Sequence, residues 1–571
     1  MTLIRGCRSA ALVGALAAFG AVQATAAGAA TVNPDQLTTV PNANVKVRGR
    51  SVPNKLSRGI AEVQQATGSD LIDGADPAVA PAFYGYSFTN DSTPLVPIPP
   101  SPAEAQKTEP DKNTYLVLDG QKGADPSYDY GTHFVFQGHE AGTPGYITRV
   151  NLDADRDHRV TLLASKDASG AALPAFDGST WDPFAHRLLF TAENGNKGGV
   201  WQATLDVPSK VEDISGMLGR GGYEGIQNDS DGNVWFVEDV GGDTIAAFPK
   251  SRQPNSFVYR FVPKDKSDLT KGGRLQVLQV KSLHTGDPIV FHADDPALDI
   301  NGQDTQDLHT YGHTFDTAWV TIHDTATDGT DPFDANALAK KKGGTPFKRP
   351  ENGVFQPGTG FRTFVFTETG DTNLETKVGA AGGGFGAIQQ LDQKSPSANE
   401  GRLHLFFQGD PEHAAFDNIQ WLTDRTVVAV EDRGDTLHSQ GNGVQSTALD
   451  SGWAFDAEAD YSKKDDKPVR ILAEGRDPSA TIDSALLDAK TPGFHNDGDN
   501  EITGFHVSDG DPSMRGILGA KDPQPWASWG GHGDRHGNNS HGGDDEGGAA
   551  WRVFFSQQHG DNNLWELIPK P

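Results

Sequence analysis

The chain has one cysteine, Cys7, in 571 residues. That excludes an intramolecular disulfide and leaves everything beyond the N-terminus without a thiolate metal ligand. Basic residues are also scarce, 48 Lys and Arg against 77 Asp and Glu, for a net charge of -29. A surface of that sign repels nucleic acid and anionic lipid, so neither is expected as a partner. At 36% hydrophobic residues the chain has enough apolar side chains for a core but too few for a membrane protein. The G-x-S-x-G elbow, the H-E-x-x-H zinc motif and the glycine-rich phosphate loop are all missing. No nucleophilic or nucleotide-binding motif therefore stands out.

What is present begins at the N-terminus. Arg5 and Arg8 precede the small-apolar run AALVGALAAFGAVQA, and ATAAGAA offers cleavage sites around Ala26 to Ala30. This order predicts a secretory signal peptide over residues 1–30 and a secreted or periplasmic product. Cys7 lies inside it, and the charge in IRGC is wrong for a lipobox, so no lipid anchor is expected. The mature chain is then cysteine-free, unattached to membrane and expected to be a monomer.

The 67 glycines and 35 prolines imply many turns and few long helices. Residues 31–110, rich in Pro, Asn and Ser, read as an extended lead-in. From Tyr115 onward, short aromatic or β-branched segments alternate with Gly/Asp/Asn turns, as in THFVFQGHE, NVWFVEDV, TFVFTETGD and TVVAVEDRGD. Such segments without intervening helical periodicity predict an all-β fold. YEGIQNDSDGNVWFVEDVGGD and FDNIQWLTDRTVVAVEDRGD share a finer grammar, with STWDPFAHRLLFTAENGN as a looser copy. Repeats of this kind suggest blades, and about six units predict a six-bladed β-propeller over 111–571 with long loop insertions. The Gly/His/Asp-rich stretch 510–548 has no packable pattern and reads as a disordered, solvated loop, although His532, His536 and His541 are metal-capable.

Carboxylates recur at strand ends: Glu193, Glu238 with Asp239, Glu368, and Glu431 with Asp432. Beside them stand Glu224, Asp417 and Glu501. Strands disfavour acidic residues, so the repetition needs a reason. They either bond backbone N–H groups in blade-closing turns or converge on calcium, which takes six to eight oxygen ligands. Asp153, Asp155 and Asp157 have EF-hand spacing, but His158 and Ala164 occupy the glycine and glutamate positions, so a hairpin turn is expected there. FKRPENGVF sets Arg349, a phosphate-matching planar fork, beside Glu351, with Pro350 stiffening the backbone between them. Metal-assisted hydrolysis of an anionic substrate matches these residues, with Glu193, Glu224, Glu351, Asp417, Glu431 and Asp432 as metal ligands.

RPENGVF, GGYEGIQNDSDGNVWFVED, YRFVPKD, NEITG and VFFSQQHGD, spread from about Tyr130 to Glu566, resemble the PhoX family of secreted alkaline phosphatases. The resemblance implies a six-bladed propeller with a calcium and iron cluster that hydrolyses small phosphomonoesters. It implies that Arg349 contacts the substrate phosphate and that Glu351 and Glu224 ligate metal, with Tyr223 in the family's histidine position. In TAEN, Ala192 replaces the family's iron-binding cysteine, which counts against iron and leaves calcium as the expected metal. The alternatives are a lactonase-like propeller hydrolase using Glu224, Asp417 and Asn418, or a non-enzymatic, calcium-stabilised propeller scaffold.

Overall fold

The computed structural model describes residues 33–41, 53–76, 78–79, 81–89, 105–141, 144–370, 381–432, 450–475, 501–526, 550–558, 560 and 562–570. The predicted signal peptide with Cys7, and His532, His536 and His541, lie outside the described residues. Among those described, no helix is long and apolar enough to cross a membrane.

The architecture is all-β, assembled from antiparallel meanders of four strands. Six leading strands open them: Thr114–Val117, Ser179–Asp182, Tyr223–Asn228, Gly353–Phe355, Phe416–Trp421 and Glu501–Ser508. We number the sheets one to six in that order. Each leading strand contacts that of the next sheet, and the sixth contacts the first. Six apolar clusters fill the gaps between successive sheets in the same cyclic order.

Strand periodicity explains this packing. In Val234–Glu238, Val234 and Phe236 face the cluster shared with the second sheet, while Trp235 and Val237 face the fourth. Val427 and Ala429 likewise face the fourth sheet, and Val428 and Val430 the sixth. A strand buried on both faces loses its polar alternation, which is why these segments read as continuous apolar runs. The turn in NDSDGNVW is equally local. Asp229 Oδ1 accepts the N–H groups of Asp231 and Asn233 at 2.8 and 2.9 Å, and Gly232 supplies the left-handed residue at φ 86°. The Asp153–Asp157 stretch is also a turn, with Asp153 Oδ2 accepting the N–H groups of Thr132 and His133.

Three arrangements differ from the sequence expectation. Within the lead-in, Ile60–Ala66 pairs with Asn563–Pro569 and supplies the fourth strand of the sixth sheet, while Lys55–Leu56 extends the fifth. Pattern reading misses this because the pairing partner lies at the other end of the chain. Next, Phe315–Asp324 bridges the outer strands of the third and fourth sheets, Gly273–Val280 and Glu400–Gln408, merging them into one nine-stranded sheet. Finally, residues 510–526 are not loose: Ile517 and Trp526 are buried in apolar clusters, and Trp526 Nε1 donates to Leu567 O at 2.9 Å. The rest of that predicted loop, 527–548, lies outside the described residues.

Candidate metal centre

The N-terminal ends of the leading strands each carry a carboxylate: Asp111, Asp177, Glu224, Glu351, Asp417 and Glu501, one per sheet. In an antiparallel hairpin the second strand ends where the first begins. Glu140, Glu193, Asp239 and Asp432 follow the second strands of four sheets and so reach the same end of the ring. Two groups of three are tight. The carboxylate oxygens of Glu224, Asp239 and Glu351 lie within 4.8 Å of one another, as do those of Asp111, Glu140 and Asp177. Among all these carboxylates Asp417 bridges the two groups electrostatically, acting on both Asp111 and Glu224.

Burial pushes Asp111, Asp177, Glu224, Glu351 and Glu501 well above the ordinary carboxylate range, and their mutual repulsion adds to it. Asp417 is raised for the same first reason. Glu193 is solvent-exposed yet hemmed in by protein; desolvation and then Asp239, Glu351 and Glu140 raise it too. Carboxylates so crowded are stable together only when protonated or neutralised by cations. Glu224 Oε2 and Asp417 Oδ2 are buried without a hydrogen-bond partner. The donors of both groups are carboxylate oxygens, the chemistry of a hard cation such as calcium.

Two cations enter this centre. Arg349 Nε donates to Asp239 Oδ1 at 2.8 Å and Nη2 to Oδ2 at 2.6 Å, a parallel fork, with Glu351 Oε1 3.4 Å from Nη2. Its backbone sits at φ 57°, as does that of Ala415 at the matching place before the fifth leading strand. The carbonyls of both accept the N–H of the residue just past their sheet's second strand, Thr369 and Asp432. A left-handed non-glycine residue costs roughly 1–2 kcal/mol, and here the hairpin hydrogen bond holds it in place. Lys112 is the other cation. Its Nζ donates to Asn418 Oδ1 at 2.7 Å and Asn352 Oδ1 at 3.2 Å, and burial lowers its pKa to about 8.

The sequence-predicted residues thus divide. Glu224 and Glu351 join Asp239 in one group, with Glu193, Asp417 and Asp432 around it. Glu431 does not enter either group; its Oε1 accepts the N–H of Ala414 at 2.9 Å. Glu368 makes the same kind of bond to Lys348 N at 2.8 Å, and accepts from His309 Nε2 and Gln389 Nε2. Burial opposes the Glu368 charge, but these donors hold its pKa below the usual range. Glu238 is braced by Tyr259 and Asn336, and burial raises it to about 8. In the V-E-D units at 237–239 and 430–432 the glutamate therefore ties down backbone or neighbouring side chains while the aspartate faces the centre. Tyr223 turns away into the core, donating to Leu218 O at 3.0 Å, and Ala192 packs among Phe190, Trp201 and Phe136.

Asp111, Lys112, Glu140 and Asp177 escape the sequence reading. A signal for Asp177 exists: Ala175-Phe176-Asp177 repeats Ala415-Phe416-Asp417, each with tryptophan four residues past the aspartate. Reading that unit from Ser179 cuts it off.

Residues 242–443 match the family model described as alkaline phosphatase PhoX. No curated protein matches the chain. Pseudomonas fluorescens PhoX, solved in complex with vanadate, a transition state analogue, is 12% identical with a TM-score of 0.52, over 93% of this chain and 97% of that one. A putative 6-phosphogluconolactonase from Bacteroides uniformis is 11% identical with a TM-score of 0.30, over 74% and 84%.

Proposed function

We propose that the chain, a relative of the PhoX alkaline phosphatases, is a secreted, calcium-dependent phosphomonoesterase built on a six-bladed β-propeller. The observation that carries the reading is the pairing of Arg349 with Asp239 at the rim of the Glu224–Asp239–Glu351 group. A phosphate-matching fork beside a carboxylate set suited to a cation supports this reading. The ring of six sheets, with contacts closing from sixth to first, supports the propeller reading.

In this reading Glu224, Asp239 and Glu351 hold one ion, Asp111, Glu140 and Asp177 another, and Glu193, Asp417 and Asp432 complete their surroundings. Calcium, when bound, supplies positive charge that neutralises these carboxylates and polarises phosphoryl oxygens. The chain's own contribution is orientation. Asp239 fixes the guanidinium plane, and the side chain stays 23% exposed so that its free edge can meet a phosphate. Thr369 Oγ1 donates to Glu351, holding that carboxylate beside Arg349. With Ala192 in the apolar core and no cysteine among the described residues, the site lacks the soft donor that ferric iron would gain from a thiolate, and we assign calcium.

The reading is tested by comparing p-nitrophenyl phosphate, its bis-ester and an aryl lactone as substrates with Ca²⁺ present. Turnover of the monoester alone is expected. Hydrolysis of the lactone without the monoester would replace this reading with a lactonase one.

A further inference from the structure

Lys112 precedes the first leading strand, yet its ammonium reaches Asn352 of the fourth sheet and Asn418 of the fifth. In a cycle of six, the first and fourth sheets face each other, so the ammonium lies across the axis of the ring. The residue is only 5% exposed, and its ammonium hydrogen-bonds to two neutral amides. The charges that act on it are nevertheless carboxylates from four different sheets: Asp417, Asp111, Glu224 and Asp177. Two oxygens of that shell, Glu224 Oε2 and Asp417 Oδ2, are buried and have no hydrogen-bond partner. Asn418 also donates to Asp417 Oδ1 at 2.7 Å and to Thr503 Oγ1 at 3.0 Å, and Thr503 donates to Asp111 Oδ1 at 2.6 Å, so one of the two amides that hold the ammonium also orients its carboxylate neighbours.

Two amide oxygens hold the ammonium in the field of four buried carboxylates, two of which have an unpartnered oxygen, and oxygen donors with that much negative charge suit a divalent ion. We propose that Lys112 is a resident cation standing in the place of one divalent ion, so that the chain takes up one ion fewer than its carboxylates would otherwise hold. Lys112 is a positioning residue here, since it meets the amides of the site and acts on its carboxylates through charge. The inference rests on the metal-binding reading of the centre but not on phosphatase activity.

Lys112→Met, neutral and of similar length, tests it by counting bound Ca²⁺ per chain with elemental analysis after equilibration in Ca²⁺ and removal of free ion. The variant is expected to hold one Ca²⁺ more than the unaltered protein, whereas Lys112→Arg keeps the original count. If the methionine variant does not fold, Lys112→Gln, polar and uncharged, carries the same expectation. An unchanged or lower count in the folded neutral variant would overturn the proposal, reducing Lys112 to a brace across the ring. A gained ion in a protein that hydrolyses no phosphomonoester would keep the proposal and remove the phosphatase reading.

Discussion

Arg349 and Asp239 meet through two parallel hydrogen bonds of 2.8 and 2.6 Å, joining the third sheet to the loop before the fourth. The same aspartate belongs to the carboxylate group completed by Glu224 and Glu351. One side chain therefore serves both the guanidinium and the candidate cation site, and substitutions on either side of the pair have separable consequences.

Arg349→Ala is expected to lower kcat/KM on a phosphomonoester by about 10²–10³-fold, the usual effect of losing one preorganised donor to a developing charge. Arg349→Lys keeps the charge without the planar fork and should recover only part of that loss. Equal activity in all three proteins would remove Arg349 from the site.

Glu351 and Glu368 stand across from each other at the open end of one hairpin and should behave differently. Glu351→Gln is expected to reduce the Ca²⁺ count, because Glu351 shares a ligand group with Glu224 and Asp239. Glu368→Ala should leave the count unchanged while lowering stability by about 1.5–3 kcal/mol, the worth of a hydrogen bond to a charged group. Elemental analysis with thermal melts distinguishes the two outcomes.

Burial of His506 contributes to the acid sensitivity of the fold. His506 is fully enclosed, accepts the N–H of Tyr115 at its Nε2, and burial holds its pKa near about 3. The folded state keeps it neutral while the unfolded chain protonates it below about pH 6.5. Its contribution is complete above that pH and is lost progressively as pH falls toward the folded value, by about 1.4 kcal/mol per pH unit. Denaturant melts from pH 7 to 4 should show a shallower decline for His506→Gln, whose amide oxygen replaces the acceptor without titrating.

The parts of this protein legible in the sequence are those written in local grammar. Alternating apolar segments and D-x-D-G turns give the all-β class, because both the pleat and the Asp229 turn are formed by residues close in sequence. The carboxylates of YEGI and FDNI could be read because their units are near copies. The strand Ile60–Ala66 could not, since its partner is some 500 residues away. Lys112 also escapes, because nothing local marks a lysine whose partners are Asn352 and Asn418. Glu431 and Asp432 show the limit most clearly: neighbours in sequence, they sit on opposite sides of a pleat, one bonding Ala414 N and the other facing Arg349.

The most direct test is a Ca²⁺ titration of the metal-free protein, following p-nitrophenyl phosphate hydrolysis alongside Glu224→Gln, which removes charge from a buried carboxylate with an unpartnered oxygen. Saturable activation by Ca²⁺ in the unaltered protein, abolished by chelator and largely absent in Glu224→Gln, is the expected result. No turnover at any Ca²⁺ concentration, or equal turnover in the two proteins, would contradict a calcium-dependent phosphatase centred on these carboxylates.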